Sequence, residues 1–134
     1  MKITFPNGFA IVAGLILSSV PALPHHSFAA EYDANKPVTI TGTVTKVEWM
    51  NPHTYFYIDV KDEKGTVTNW GLEMGSPNGL MRQGWTRNSL KKGDVVTVNG
   101  SLAKDGSKLA NARKIILADG TPVLGASSQD AENK

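Results

Sequence analysis

The sequence predicts an all-β domain that contains one short helix. Five segments are rich in β-branched residues or alternate between apolar and polar residues, a pattern typical of strands. Ser76-Pro77 follows the third segment and predicts a helix start, because serine caps a helix and proline suits its first turn. The predicted order is therefore three strands, a helix and two strands.

The first predicted strand, Val38–Trp49, changes the face of its apolar residues part-way along. These residues have even numbers up to Val44 and odd numbers from Val47 onward. A β-bulge produces such a change of face, and Gly42 would help the strand to bend. A bent first strand of this kind serves both sides of a small barrel.

The remaining elements complete the pattern. The other predicted strands are Thr54–Val60, Val67–Met74, Val95–Leu102 and Leu109–Leu117. In the third strand the apolar face contains Leu72 and Met74, which places Glu73 on the outer face. A helix near Pro77–Gln83 is expected to carry Leu80 and Met81 inward. This order is that of an OB-fold, a five-stranded Greek-key barrel with its helix between strands three and four.

Four regions are predicted along the 134 residues. Residues 1–22 have a basic start at Lys2, an apolar centre at Phe9–Val20 and a small-residue end, as in a cleavable signal peptide. The apolar run is too short to span a membrane, which takes about 20 residues. Cleavage after Ala22, or after Pro24, predicts a periplasmic protein whose mature form has no membrane span. Residues 23–37 are predicted as an extended lead-in, residues 38–123 as the barrel and residues 124–134 as a disordered tail.

Composition argues against several classes of function. The chain has no cysteine, so it forms no disulfide, thiolate metal site or lipid-modified cysteine. A formal net charge of +2 is too balanced to predict a polyanionic partner, and export argues further against nucleic acid. No Ser-His-acid arrangement, carboxylate pair or phosphate-binding glycine loop stands out. The sequence therefore predicts a binding module rather than an enzyme, although a bound metal could recruit catalysis.

The three histidines, His25, His26 and His53, are the candidate metal ligands. Neutral imidazole binds copper and zinc, and the thioether of the nearby Met50 suits cuprous copper. Copper is the first metal expected and zinc the second. All three histidines lie outside the predicted strands. In the alternative reading, the histidine pair belongs to an unstructured N-terminus and His53 bonds the backbone of its turn.

A second set of residues predicts a metal-free site for a small ligand or for another envelope protein. OB-fold proteins bind ligands on the face of strands two and three, where Tyr55 and Tyr57 are expected to point outward. Asn51, Arg82 and Trp85 would complete the site at one end of the barrel, with Arg82 facing an anion or carboxylate. In the alternative reading, the tyrosines are ordinary cross-strand neighbours and the arginine is solvated.

Several motifs resemble those of an uncharacterised family of exported bacterial proteins, a domain of unknown function. They are His25–Asp33 (HHSFAAEYD), Asn51–His53 (NPH) and Gly75–Asn78 (GSPN), the last followed by Gly84-Trp85. The resemblance covers roughly Pro24–Leu117 and implies export and a shared fold, but no activity. It singles out a group of residues without giving them a role: His25, His26, Asn51, Pro52, His53, Arg82 and Trp85. Typical members have a small residue before the histidine pair, where this chain has Pro24.

Overall fold

The structure is a computed structural model that describes residues 27–123 and Ser127. Its strands are β1 (Tyr32–Glu48), β2 (Tyr55–Lys61), β3 (Val67–Glu73), β4 (Val95–Ala103), β5 (Leu109–Leu117) and β6 (Pro122–Val123), and its helices are α1 (Phe28–Glu31) and α2 (Pro77–Arg82). The predicted signal peptide, the histidine pair and most of the predicted tail lie outside the described residues. Within the described part, no helix is long and apolar enough to cross a membrane.

The sheet closes on itself through β3 and β5. The strands follow the order β3-β2-β1-β4-β5-β6, and β3 also pairs with β5. This closing pair is parallel and joins Gly71–Glu73 to Leu109–Asn111. The strands β1 to β5 thus form a barrel with α2 between β3 and β4, which confirms the predicted OB-fold architecture.

β1 serves both halves of the barrel because it is bulged. It pairs with β4 along its first half and with β2 along its second half, and Thr43 lies opposite both strands. Its register with β2 shifts between Val44 and Lys46, which confirms the bulge predicted from the change of apolar face. β1 begins at Tyr32, earlier than the predicted start at Val38. Tyr32 and Pro37 already pair with residues of β4.

The core lies inside the barrel and is built from the predicted inward faces of β2, β3 and β4. Its fully buried side chains include Phe56, Ile58, Leu72, Met74, Val96 and Val98. In α2, the Ser76 hydroxyl accepts a hydrogen bond from the Gly79 amide at 3.1 Å, and Leu80 is fully buried. The prediction that Met81 points inward is wrong, since its side chain is 52% exposed. Successive helical residues are turned by about 100°, so a single short turn that buries Leu80 leaves Met81 outside.

A smaller apolar cluster lies outside the barrel, where the start of the described chain packs on the sheet. Phe28, Tyr32 and Ala103 are buried there, and Leu109 packs against them. The ring centroids of Phe28 and Tyr32 are 5.6 Å apart. We call Ser27–Asp33 the N-terminal segment. It covers part of the outer face of the sheet beside β3.

One residue of the predicted disordered tail is described. Ser127 is buried, and its hydroxyl donates to the Asn111 side-chain oxygen at 2.5 Å. Asn111 lies opposite Glu73 in the closing pair of β3 and β5. Ser127 therefore lies beside the pairing of β3 and β5 that closes the barrel.

Candidate functional site

Glu73, the last residue of β3, is a buried carboxylate with three side-chain partners. The hydroxyls of Tyr32 and Tyr55 donate to its Oε2 atom at 2.6 and 2.8 Å. The Nδ1 atom of His53 lies 3.0 Å from its Oε1 atom. Glu73 is only 2% exposed, and a buried carboxylate is costly unless its oxygens are satisfied in this way. We call these four residues the Glu73 cluster.

The partners of Glu73 keep it ionised. Burial alone would raise the pKa of its carboxyl, but the hydrogen bonds from His53, Tyr32 and Tyr55 outweigh burial, so this pKa lies below its ordinary value of 4.5. Burial and the neighbouring carboxylate both raise the pKa of Tyr32 and of Tyr55. Both tyrosines are therefore protonated donors at neutral pH.

The contact with Glu73 sets which nitrogen of His53 is basic. When Nδ1 donates its hydrogen to the carboxylate, the neutral ring has its lone pair on Nε2. Metal-binding histidines usually donate their other N–H group to a carboxylate or carbonyl, which orients the ring and makes it a better ligand. The His53 side chain is 25% exposed, so solvent and small ions reach it.

The backbone holds His53 next to Glu73 by extending the β2–β3 pairing beyond its last strand residues. The Thr54 amide donates to the Gly75 carbonyl at 3.0 Å, and the Met74 amide donates to the Thr54 carbonyl at 2.8 Å. His53 lies two residues before Tyr55, so both side chains fall on the same face of the extended chain. That face is the outer one, because the intervening Thr54 is fully buried.

Tyr55 and Tyr57 lie on the outer face of β2, and their hydroxyls are bonded to different carboxylates. Tyr55 belongs to the Glu73 cluster. The Tyr57 hydroxyl donates to Glu48 at 3.1 Å, and the Lys46 ammonium lies 5.7 Å from the Tyr57 ring centroid. The two tyrosines are thus parts of two separate polar clusters on one face of the sheet.

The other predicted ligand residues are spread over different environments. Asn51 and Arg82 are exposed, the first after β1 and the second in the last turn of α2. Trp85 is only 4% exposed and packs in the barrel core. A ring so little exposed presents almost no surface to an external ligand.

Of the three predicted metal ligands, the structure describes His53 alone, since His25 and His26 precede Ser27. Within residues 27–123 and Ser127, no three side chains of the His, Cys, Asp and Glu types are close enough to hold a metal ion. A metal site at His53 built from these residue types alone therefore needs ligands from outside the described residues.

The sequence analysis missed Glu73 and Tyr32 as site residues. Alternation placed Glu73 on the outer face of β3, which is correct, but gave no sign that another segment covers this face. Tyr32 fell within the predicted lead-in. A carboxylate inside the otherwise apolar stretch Leu72–Met74 and the position of Tyr32 within the HHSFAAEYD motif were the available signals.

Comparison with known proteins identifies a family. Residues 13–112 match the family of unknown function DUF6152, which is more than half of the chain. The chain belongs to DUF6152. The match begins within the predicted signal peptide, ends in β5 and includes the Glu73 cluster of this DUF6152 chain. No curated protein matches it.

Solved structures similar to this DUF6152 chain include two proteins of different kinds. The mitochondrial single-stranded DNA-binding protein Rim1 of S. cerevisiae is 13% identical, with a TM-score of 0.49 over 62% of this chain and 93% of that chain. A ZRD-deleted mutant of TiaS in complex with agmatine is 24% identical, with a TM-score of 0.49 over 70% of this chain and 27% of that chain. Both likenesses are to the fold alone.

Glu73 makes the stability of the fold sensitive to acid. The pKa of its carboxyl is lowered on folding, so the carboxylate stabilises the fold above its ordinary value of 4.5. This contribution is lost as the pH falls below 4.5 and through the pKa of the folded state. We expect the free energy of unfolding in urea to decrease over this range, and to decrease less in Glu73→Gln, which has no carboxyl to titrate. An equal acid dependence in both proteins would contradict the prediction.

Proposed function

We propose that this protein is a periplasmic metal-binding module, with copper as the first candidate metal and zinc as the second. His53 binds the ion through Nε2. The observation that carries the proposal is the 3.0 Å contact between His53 Nδ1 and Glu73 Oε1, because a carboxylate contact of this kind usually orients the ring of a metal-binding histidine. The two tyrosines on Oε2 hold the carboxylate in place behind the ring.

His25 and His26 are the candidates for the other ligands. They come directly before Ser27, and the N-terminal segment that follows them is docked on the sheet. Its Tyr32 bonds the same carboxylate as His53 does. The histidine pair thus adjoins in sequence a segment that contacts the Glu73 carboxylate, and this supports the proposal that the pair and His53 bind the same ion. A set of imidazoles in a chain without cysteine suits copper or zinc.

Export is part of this proposal and rests on the sequence. Lys2, the apolar run Phe9–Val20 and the small residues up to Ala22 make up a cleavable signal. Cleavage after Ala22 leaves two residues before the histidine pair, whereas cleavage after Pro24 makes His25 the first residue. In the second case the terminal amine and the imidazole of His25 would both be available to one metal ion.

Replacing His53 with alanine tests the metal site. We expect His53→Ala to lower the affinity for copper(II) by about tenfold or more, because it removes a ligand together with the carboxylate contact that orients it. The proteins are recovered from the periplasm, so that native mass spectrometry reads the mature N-terminus and any bound metal together. Competition with a coloured chelator then gives the dissociation constants. An unchanged affinity in His53→Ala would overturn the proposal.

Tyr57→Ala is the matched control, and it also tests the alternative function. Tyr57 lies on the same strand face as Tyr55 but bonds Glu48 instead of Glu73, so its loss is expected to leave the metal affinity unchanged. The alternative is a metal-free module that binds a small ligand or a protein on the outer face of β2 and β3. In that case the recovered protein contains no metal, and Tyr57→Ala loses the ligand. The absence of a nucleic-acid partner stays a prediction.

A further inference from the structure

We propose that the connection between α2 and β4 is a surface that binds the anionic lipid headgroups of a membrane without spanning the bilayer. We call residues 82–92, which make up most of this connection, the basic strip. It contains four exposed basic residues: Arg82, Arg87, Lys91 and Lys92. None of them belongs to the Glu73 cluster, so this proposal goes beyond the metal site and does not depend on it.

The basic strip concentrates positive charge that the composition of the whole chain hides. The chain has 14 basic and 12 acidic residues, but no acidic residue lies between Glu73 and Asp94, where the four basic residues lie. The rest of the chain therefore has 10 basic and 12 acidic residues. Such a distribution gives a nearly neutral protein one positive region, which favours the approach of an anionic surface in one orientation.

The four basic side chains have no carboxylate that neutralises them. In the part of the chain that the structure describes, none of the four forms an ion pair. In β1, by contrast, Lys46 pairs with Glu48. The acidic residue that follows the strip, Asp94, accepts a hydrogen bond from the backbone amide of Lys91 at 2.8 Å. The charges of the strip are therefore available to an external anion.

The basic strip is held against the barrel by apolar residues that alternate with the basic ones. Leu80, Trp85 and Leu90 follow one another at equal spacing, and all three are buried in the same core cluster. Between the last two, the Thr86 amide donates to the Ser89 hydroxyl at 2.8 Å and fixes a turn. The basic residues lie between and after these buried residues. The strip thus directs its apolar side chains to the core and its charges to solvent.

Met81 favours a lipid surface over other anionic partners. Its side chain is 52% exposed and precedes Arg82 in α2, so an apolar group lies at the start of the basic strip. A membrane surface with anionic lipids attracts basic residues and also takes up exposed apolar side chains. Proteins that bind single-stranded nucleic acid add exposed aromatic rings to their basic groups, and protein interfaces are often anchored by such rings. The aromatic residue of the strip, Trp85, is buried in the core instead.

Binding of the mature protein, without its predicted signal peptide, to sedimented vesicles tests the proposal. One set of vesicles is an equal mixture of phosphatidylglycerol and phosphatidylcholine, and the other is phosphatidylcholine alone. We expect at least about tenfold tighter binding to the first set, because each basic residue near an anionic surface adds to the affinity. This binding should weaken as salt is added, since salt screens exposed charges.

A triple variant, Arg87→Gln/Lys91→Gln/Lys92→Gln, removes most of the charge of the strip. It is expected to bind the anionic vesicles about tenfold or more weakly than the wild type. The matched control is Lys61→Gln/Lys64→Gln/Lys114→Gln, which removes the same charge from exposed positions outside the strip. The control should stay within about twofold of the wild type. An equal loss in both variants would be an effect of net charge alone and would overturn the proposal.

Met81→Ser tests the apolar part of the surface. It is expected to lower the affinity for anionic vesicles by about threefold, because a side chain that enters the lipid surface is lost. Val67→Ser is its control, since Val67 is similarly exposed, at 55%, but lies in β3. If Met81→Ser and Val67→Ser bind alike, the strip responds to charge alone, and its assignment to a lipid surface is overturned.

The wild-type measurement needs no variant, so it decides the matter even where a variant does not fold. Wild-type protein that binds both sets of vesicles equally, or neither, overturns the proposal. Tighter binding to a polyaspartate peptide or to oligodeoxythymidine than to anionic vesicles also overturns it, in favour of an acidic protein or a nucleic acid. The copper affinity of both triple variants should equal that of the wild type, so the metal site and the basic strip stand or fail separately.

Discussion

Gly100→Ala is expected to unfold the barrel, or to lower its free energy of unfolding by at least about 3 kcal/mol. A Cβ atom at Gly100 would overlap the carbonyl oxygen of Asn111 and lie 3.0 Å from its carbonyl carbon. Both are backbone atoms of β5, so no side-chain rotation relieves the clash. β4 and β5 would have to separate where they pair. Urea denaturation followed by circular dichroism measures the loss.

Gly79→Ala is the control, because a Cβ atom added at Gly79 would not approach any backbone atom as closely as one at Gly100 would. A Cβ atom there would lie 3.2 Å from the Ser76 hydroxyl, a side-chain atom that can shift. Alanine is also favoured over glycine in helices by about 1 kcal/mol. This variant is expected to be close to the wild type in stability. A Gly100→Ala protein as stable as Gly79→Ala would contradict the close approach of β4 and β5.

Glu73→Ala is expected to lower the free energy of unfolding by about 3 to 5 kcal/mol and to weaken metal binding as much as His53→Ala does. The reason is that Tyr32, Tyr55 and His53 all lose the carboxylate to which they are bonded. The buried hydroxyls of Tyr32 and Tyr55 are left without it, and His53 loses the carboxylate that orients its ring. Urea denaturation at neutral pH and copper titration of the folded protein measure the two effects.

Two variants separate the causes of this loss. Glu73→Gln keeps an acceptor oxygen and the shape of the side chain, so its loss of stability should be smaller than that of Glu73→Ala. Glu48→Ala removes a half-buried carboxylate that accepts from Tyr57 and pairs with the exposed Lys46, and it should change stability little. If Glu73→Ala is no less stable than Glu48→Ala, the Glu73 cluster does not contribute to stability as argued.

The architecture of the barrel could be predicted because its signals are local. Alternation within each strand depends on which face is buried, and it gave the inward residues of β2, β3 and β4. The change of face in β1 reports the bulge between Val44 and Lys46. The helix start follows from the chemistry of Ser76-Pro77. Met81 was placed wrongly because a helix of six residues is too short for its apolar face to be defined by periodicity.

The candidate site was only partly predictable because its main contacts are distant in sequence. Tyr32 and Glu73 are 41 residues apart. Alternation assigns a face to Glu73 but does not show whether a distant segment covers that face. The NPH motif pointed to His53, but nothing near it in sequence indicated the carboxylate that orients it. Alternation also gave no burial for Trp85, because it lies outside the strands, and the structure shows its ring in the core.

The N-terminal segment of the protein occupies part of the surface on which an external ligand would be expected to bind. The outer face of β2 and β3 is where OB-fold proteins commonly bind their partners, and here Tyr32 already contacts that face through Glu73. A tethered segment competes at a high effective concentration, in the millimolar range for short flexible links. An external molecule must therefore either bind beside the segment or displace it. A molecule of low affinity that has to displace the segment would not bind to this part of the face.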